Sequence, residues 1–103
     1  GMIHKFPSPE RKPAEFIEGY MTRHFGEVKL DVLVYGHTHL EGLYRVGEMV
    51  CVNPGSPTLP KNQSIRHGTI GILDISPESS TVSILQITEE GVRAHDSVQP
   101  HSF

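Results

Sequence analysis

Apolar residues recur along this chain in short bursts whose period changes. From Phe16 and Ile17 through Tyr20 and Met21 to Phe25 they return three or four positions apart, with Glu15, Glu18, Thr22 and Arg23 among the intervening positions. That is the stripe of an amphipathic helix. Pro13 suits a first helical position and Gly26 the position just past the end, so the pattern predicts a helix over 13–25. The early acids and the late Arg23-His24 pair also suit the helix dipole.

Elsewhere the period is that of strands. Met2 to Phe6 is a short apolar run stopped by Pro7-Ser8-Pro9, where proline removes backbone donors. Asp31-Val32-Leu33-Val34-Tyr35-Gly36 is nearly continuous, the mark of a strand buried on both faces. Strand, helix, strand in this order predicts a parallel βαβ crossover. Gly42 to Val46 and Glu48 to Val52 flank Gly47 as a hairpin. Asn53-Pro54-Gly55-Ser56-Pro57 is dense turn chemistry, followed by a polar loop over 58–67. Gly68 to Ile75 and Thr81 to Thr88 alternate as two further strands. Val92 to Val98 adds a frayed last one, and 99–103 reads as a loose tail. The fold class is therefore α+β, one βαβ unit followed by antiparallel strands, in a single domain over 1–103. Gly1 before Met2 reads as the remnant of a cleaved tag.

Composition narrows the function. The 103 residues carry 9 Lys+Arg against 12 Asp+Glu, a net charge of −3, and no basic run or stripe marks a nucleic-acid binder. The apolar runs are far shorter than a membrane span, and no signal peptide is visible. One cysteine, Cys51, makes no internal disulfide and reads as a small buried hydrophobe in a strand. A cytoplasmic location is expected. What stands out is seven histidines in so small a chain.

Gly36-His37-Thr38-His39 ends the buried strand, at the sheet edge where α/β folds gather ligands. Gly36 removes a Cβ that would crowd a ligand. Two imidazoles two residues apart reach one crevice, as metal ligands or as plain surface histidines. His4 lies near the end of the first strand. If that strand runs parallel beside 31–36, His4, His37 and His39 converge on one edge, as a partial metal site does. The other four read as incidental: His24 in the last helical turn, His67 beside Arg66 as an anion contact or a solvated loop residue, and His95 and His101 exposed in the tail. The Asn53 to Ser56 loop reads either as a pure turn or as the wall of the metal crevice, through Asn53, Gly55 and Ser56.

Gly36-His37-Thr38-His39, with Asn53-Pro54-Gly55-Ser56 fourteen residues beyond His39, resembles the calcineurin-like metallophosphoesterase superfamily, in particular small phosphodiesterases of the YfcE type. Met2-Ile3-His4-Lys5 is similar to that family's strand ending in His-Gly, with Lys5 where glycine is usual. The resemblance implies the C-terminal half of an αββα sandwich and a phosphoesterase that hydrolyses phosphoesters at a two-metal site. It implies that His4 and His37 ligate one divalent metal and His39 the other, the ion being Mn, Ni, Zn or Fe. Two metals polarise a phosphoryl oxygen and activate a hydroxide for in-line attack.

The family's remaining ligands, an Asp-x-His, a bridging Asp and a Gly-Asn-His-Asp, have no counterpart here. Asp31, Asp74 and Asp96 stand in other contexts. The chain is therefore expected to be a truncated half of an enzyme, inactive alone. Half a sandwich leaves unpaired strand edges, which predicts a homo-oligomer or a missing N-terminal half as partner. The alternative is a non-catalytic interaction or scaffold module that keeps the fold.

Overall fold

The computed structural model describes residues 1–65 and 67–103. The elements run in the expected order. β1 (Met2–Ile3) leads to α1 (Ala14–Phe25), then β2 (Val32–Tyr35), β3 (Gly42–Val46), β4 (Met49–Asn53), β5 (Thr69–Ile75), β6 (Ser80–Thr88), β7 (Gly91–Ala94) and β8 (His101–Ser102).

One sheet has the order β1-β2-β4-β3, with β1 and β4 parallel to β2 and β3 antiparallel to β4. The crossover between β1 and β2 carries the helix, because parallel neighbours cannot be joined by a tight turn. The second sheet is antiparallel, with β6 between β5 and the pair β7 and β8.

Alternation along the first sheet builds two cores. On one face Leu33, Tyr35, Met49 and Cys51 pack with Ile17 of the helix, and Ile3, Phe6, Met21, Phe25 and Leu30 close around them. On the other, Leu43, Val50 and Val52 meet Val82 and Ile84 of β6. Burying one such aliphatic side chain contributes about 1.5–3 kcal/mol. Cys51 is fully buried, and burial pushes its thiol up to about 11. The helix stripe is narrower than its sequence suggests. Ile17 is buried while Phe16 remains 45% exposed, its ring covered by Lys12 Nζ at 5.1 Å from the centroid.

Two expectations for the C-terminal segment are corrected. The tail over 99–103 is not loose: Ser102 and His101 pair with Thr81 and Val82, and Phe103 donates its N–H to Ser80 and packs on the inter-sheet core. Its apolar end supplies burial that the polar composition hid. Nor is His95 exposed; it is 7% accessible, and His101 is half-buried. The anion contact read for His67 with Arg66 lies partly outside the described residues; His67 Nε2 stands 3.8 Å from Glu89.

The second sheet is covered unevenly. Beyond Thr69 and Ile70, every residue of β5 is exposed, including Ile72, Leu73 and Ile75. Among the described residues no helix is long and apolar enough to cross a membrane.

Candidate metal centre

The parallel pairing of β1 with β2 places Ile3 opposite Tyr35, and Gly36 donates its N–H to the His4 carbonyl at 3.1 Å. His4 therefore stands level with Gly36 at the carboxyl ends of both strands. Its Nε2 lies 3.0 Å from His37 Nδ1, with the ring centroids 5.0 Å apart and the planes 67° to each other. One nitrogen donates and the other accepts, and both rings are exposed. Desolvation lowers the His37 pKa from its ordinary value, and the nearby charges of Lys5, His4 and His39 push it the same way.

The backbone of this turn departs from what glycine's position suggests. A Cβ on Gly36 would meet nothing within 4 Å, and its backbone needs no left-handed conformation. The left-handed residues are His37, at φ 74°, and His39, at φ 62°. Thr38 N–H bonds the Gly36 carbonyl at 2.9 Å, closing a three-residue turn with His37 at its centre. Left-handed backbone on residues with a Cβ costs on the order of 1–3 kcal/mol each, and persists only where the surroundings hold it.

The Asn53-Pro54-Gly55-Ser56 loop does the holding. Asn53, 1% accessible, donates from Nδ2 to Thr38 Oγ1 at 3.0 Å and accepts from Gly55 N–H at 3.0 Å. Ser56 Oγ accepts from Leu59 N–H at 2.9 Å, and the Leu59 carbonyl faces His39 Nδ1 at 2.9 Å. A carbonyl can only accept, so His39 Nδ1 carries the proton and its Nε2 lone pair is left free. A backbone carbonyl orients ligating histidines in the same way. Lys61 N–H adds a bond to the His39 carbonyl at 3.0 Å. Gly55 has φ 77°, and an added Cβ would lie 2.2 Å from Thr69 Oγ1, so only glycine lets β5 approach. Beside the turn, Thr38 and Asn53 share a cavity of about 220 Å³ with Arg11 and Lys61 and with the acidic Glu10.

The structure thus brings His4 and His37 together and turns His39 onto Leu59. Among the described residues no group of three or more His, Cys, Asp or Glu side chains is arranged to hold a metal ion. His24 packs its ring on Tyr20, with centroids 4.0 Å apart. Sequence reading missed Thr38 and Leu59, whose roles rest on contacts with the Asn53 to Ser56 region. It also missed Glu41, two residues past His39, which is buried against His95. An acid directly before a buried strand was its one signal.

A two-layer arrangement of sheets with histidines at the parallel strand ends belongs to the metallophosphoesterase class, and the comparisons with known proteins agree. The model of the calcineurin-like phosphoesterase superfamily domain matches residues 1–78, and the chain belongs to that superfamily. Its relatives include the phosphodiesterase YfcE of Escherichia coli, 34% identical over 70 residues, covering 68% of this chain and 35% of that protein. A probable metallophosphoesterase of Methanothermobacter thermautotrophicus is 35% identical over 60 residues, covering 58% of this chain and 33% of the other. The chain spans about a third of the length of these relatives.

Among solved structures, Chaetomium thermophilum Vps29 superposes with a TM-score of 0.64 at 17% identity, over 99% of this chain and 51% of the other. A zinc complex of Entamoeba histolytica Vps29 gives 0.61 at 21% identity, over 98% and 52%. A Streptococcus pneumoniae protein described as a predicted phosphoesterase gives 0.58 at 21%, over 84% and 45%. These three show the fold. The mixed fold expected from the motifs, a βαβ unit followed by antiparallel strands, is the architecture found, with two sheets and one helix among the described residues.

Proposed function

We propose that these 103 residues carry half of a two-metal phosphoester-hydrolysing centre, with His4 and His37 on one divalent ion and His39 on the other. The observation that carries this is the His4 Nε2 to His37 Nδ1 separation of 3.0 Å at the sheet edge. With metal–nitrogen bonds of about 2.0–2.1 Å, two adjacent ligands on one ion stand about 3.0–3.4 Å apart. The pair fits one ion once the proton shared between the two nitrogens is lost or moved to the other ring nitrogen and the rings turn both lone pairs onto a common point. Two imidazoles, with a third held nearby and no carboxylate, fit half of the donor set that two ions need.

When bound, the divalent pair polarises the phosphoryl oxygen and lowers the pKa of a water. This chain's own residues position that chemistry. His39 Nδ1–H donates to Leu59, which fixes its free nitrogen. Thr38 and Asn53 hold the turn between the two ligands. Carboxylates from outside these residues complete the site, in a longer chain or a second one. Mn, Ni, Zn and Fe all suit imidazole donors. A cytoplasmic location accompanies this reading, in keeping with the single buried thiol.

The test is calorimetric titration with Zn²⁺ and Mn²⁺, together with hydrolysis of bis(p-nitrophenyl) phosphate. The expected outcome is weak binding of one ion, lost in His37→Ala, and no measurable turnover by the 103-residue chain. Robust turnover would sink the half-site reading, and failure to bind either metal would sink the metal assignment.

A second reading, a non-catalytic interaction module, is favoured by one observation. β5 exposes Ile72, Leu73 and Ile75, with Ile75 70% accessible. An apolar edge strand of this kind invites a pairing partner, either a second copy or the missing half of the sandwich. Sedimentation as a monodisperse monomer at micromolar concentration would count against a second copy.

A further inference from the structure

The two left-handed histidines need restraint on both sides. Upstream the restraint is the β1–β2 pairing, and across the turn it is Asn53. Downstream, the chain passes from His39 through Leu40 to Glu41, whose side chain is only 3% accessible. A carboxylate so deeply buried is tolerated only when paired and hydrogen-bonded. Its partner is His95, just past the end of β7 and equally buried, with Nε2 at 3.2 Å from Glu41 Oε2.

The hydrogen bonds of His95 define its role. Its Nδ1 accepts from the backbone N–H groups of Ser97 at 3.1 Å and Val98 at 3.0 Å. A nitrogen facing two donors holds no proton of its own, so the imidazole proton sits on Nε2 and points at Glu41. His95 N–H is in turn bonded to the Ile84 carbonyl at 3.2 Å, which fixes the residue on β6. Glu41 also abuts the Asn53 to Ser56 loop, since a Cβ on Gly55 would lie 3.1 Å from Glu41 Cβ. The pair thus joins three parts: the end of the histidine turn, the loop that brackets it, and the central strand of the second sheet.

We infer that Glu41 and His95 are positioning residues for the histidine turn. The inference rests on the proposed metal site for its functional meaning. The Nε2–H tautomer of His95, locked by the 97–98 backbone, anchors the Glu41 carboxylate. The anchored carboxylate holds the downstream end of the turn and so fixes where the rings of His37 and His39 stand. Neither Glu41 nor His95 touches the ion or the substrate.

The experiment uses the 103-residue chain labelled with ¹⁵N, first without metal and then titrated with Zn²⁺. Imidazole spectra are expected to show His95 as the Nε2–H tautomer. Glu41→Gln retains an acceptor for that proton, and is expected to leave the His37 and His39 ring resonances and the Zn²⁺ affinity unchanged. Glu41→Ala is expected to shift both rings in the metal-free chain and to weaken Zn²⁺ binding by about tenfold or more. Circular dichroism confirms that the variants are folded. Should the alanine variant not fold, Glu41→Met, which fills the space without an acceptor, takes its place. A folded Glu41→Ala or Glu41→Met chain with unmoved His37 and His39 resonances would overturn the inference. So would an Nδ1–H tautomer at His95. If the wild-type chain binds no Zn²⁺, the proposed function fails alone, and the metal-free ring resonances still decide this one.

Discussion

Two imidazole contacts of similar length stand in very different parts of this molecule. His4 meets His37 at 3.0 Å at the open strand ends, and His95 meets Glu41 at 3.2 Å in the interior. In the first, water can replace either partner at little cost, so the rings are free to reorganise around a ligand. In the second, any lost partner leaves a polar group stranded away from water, and the contact is confined to one arrangement. Exposure therefore separates a histidine pair available for chemistry from one that fixes geometry. The surface contact depends on the interior, because the left-handed backbones of His37 and His39 need restraint from what packs beneath them.

The largest effect is expected at the buried contact. His95→Ala leaves the Glu41 carboxylate without its donor and frees the 97–98 backbone, costing about 3 kcal/mol. Urea denaturation would measure it, and a loss below about 1 kcal/mol would erase the contrast between interior and surface. Next comes the loop joining the two regions. Gly55→Ala forces a left-handed alanine at φ 77° and drives its Cβ into Thr69. A loss of about 2 kcal/mol is expected, with a lower midpoint in the same denaturation series.

The smallest effect belongs to the exposed contact. His4→Ala is expected to change stability by within about 0.5 kcal/mol. Because the His4 charge helps to lower the His37 pKa, the same variant should let His37 titrate closer to its ordinary value. The linkage has a definite sign. With its pKa depressed in the fold, His37 binds fewer protons when folded than when unfolded. Its contribution is present above about pH 6.5 and is lost as pH falls through the lower folded value. An NMR titration of His37 in both chains reads this directly, and a higher wild-type pKa than in His4→Ala would contradict it.

Much of the architecture was legible in the chain. The helical spacing of Ile17, Tyr20, Met21 and Phe25, the continuous run of Val32 to Tyr35 and the turn at Gly47 each express a local rule, and each element formed where its rule placed it. The motif residues were equally visible, since His4, His37 and His39 follow the strands of the βαβ unit and Asn53 ends the hairpin. The C-terminal segment was harder to read. Nothing in Gln99-Pro100-His101-Ser102-Phe103 signals a strand, because β8 is only two residues long and exists through its pairing with Thr81 and Val82. Phe16 misled in the opposite direction, since periodicity counts an apolar residue without saying which side of the stripe finds a neighbour.

The sequence by itself determined the element order from β1 to β7 and the family to which the chain belongs. Both rest on spacing between near neighbours and on short motifs. Tertiary structure alone decided that His37 and His39 adopt left-handed backbones while Gly36 does not, and that Leu59 orients His39. It also decided that His95, which reads as a tail residue, is buried on Glu41. Those outcomes depend on contacts between residues 15 to 54 positions apart. Partners at that distance are chosen by the packing of two sheets against each other, which no local pattern records.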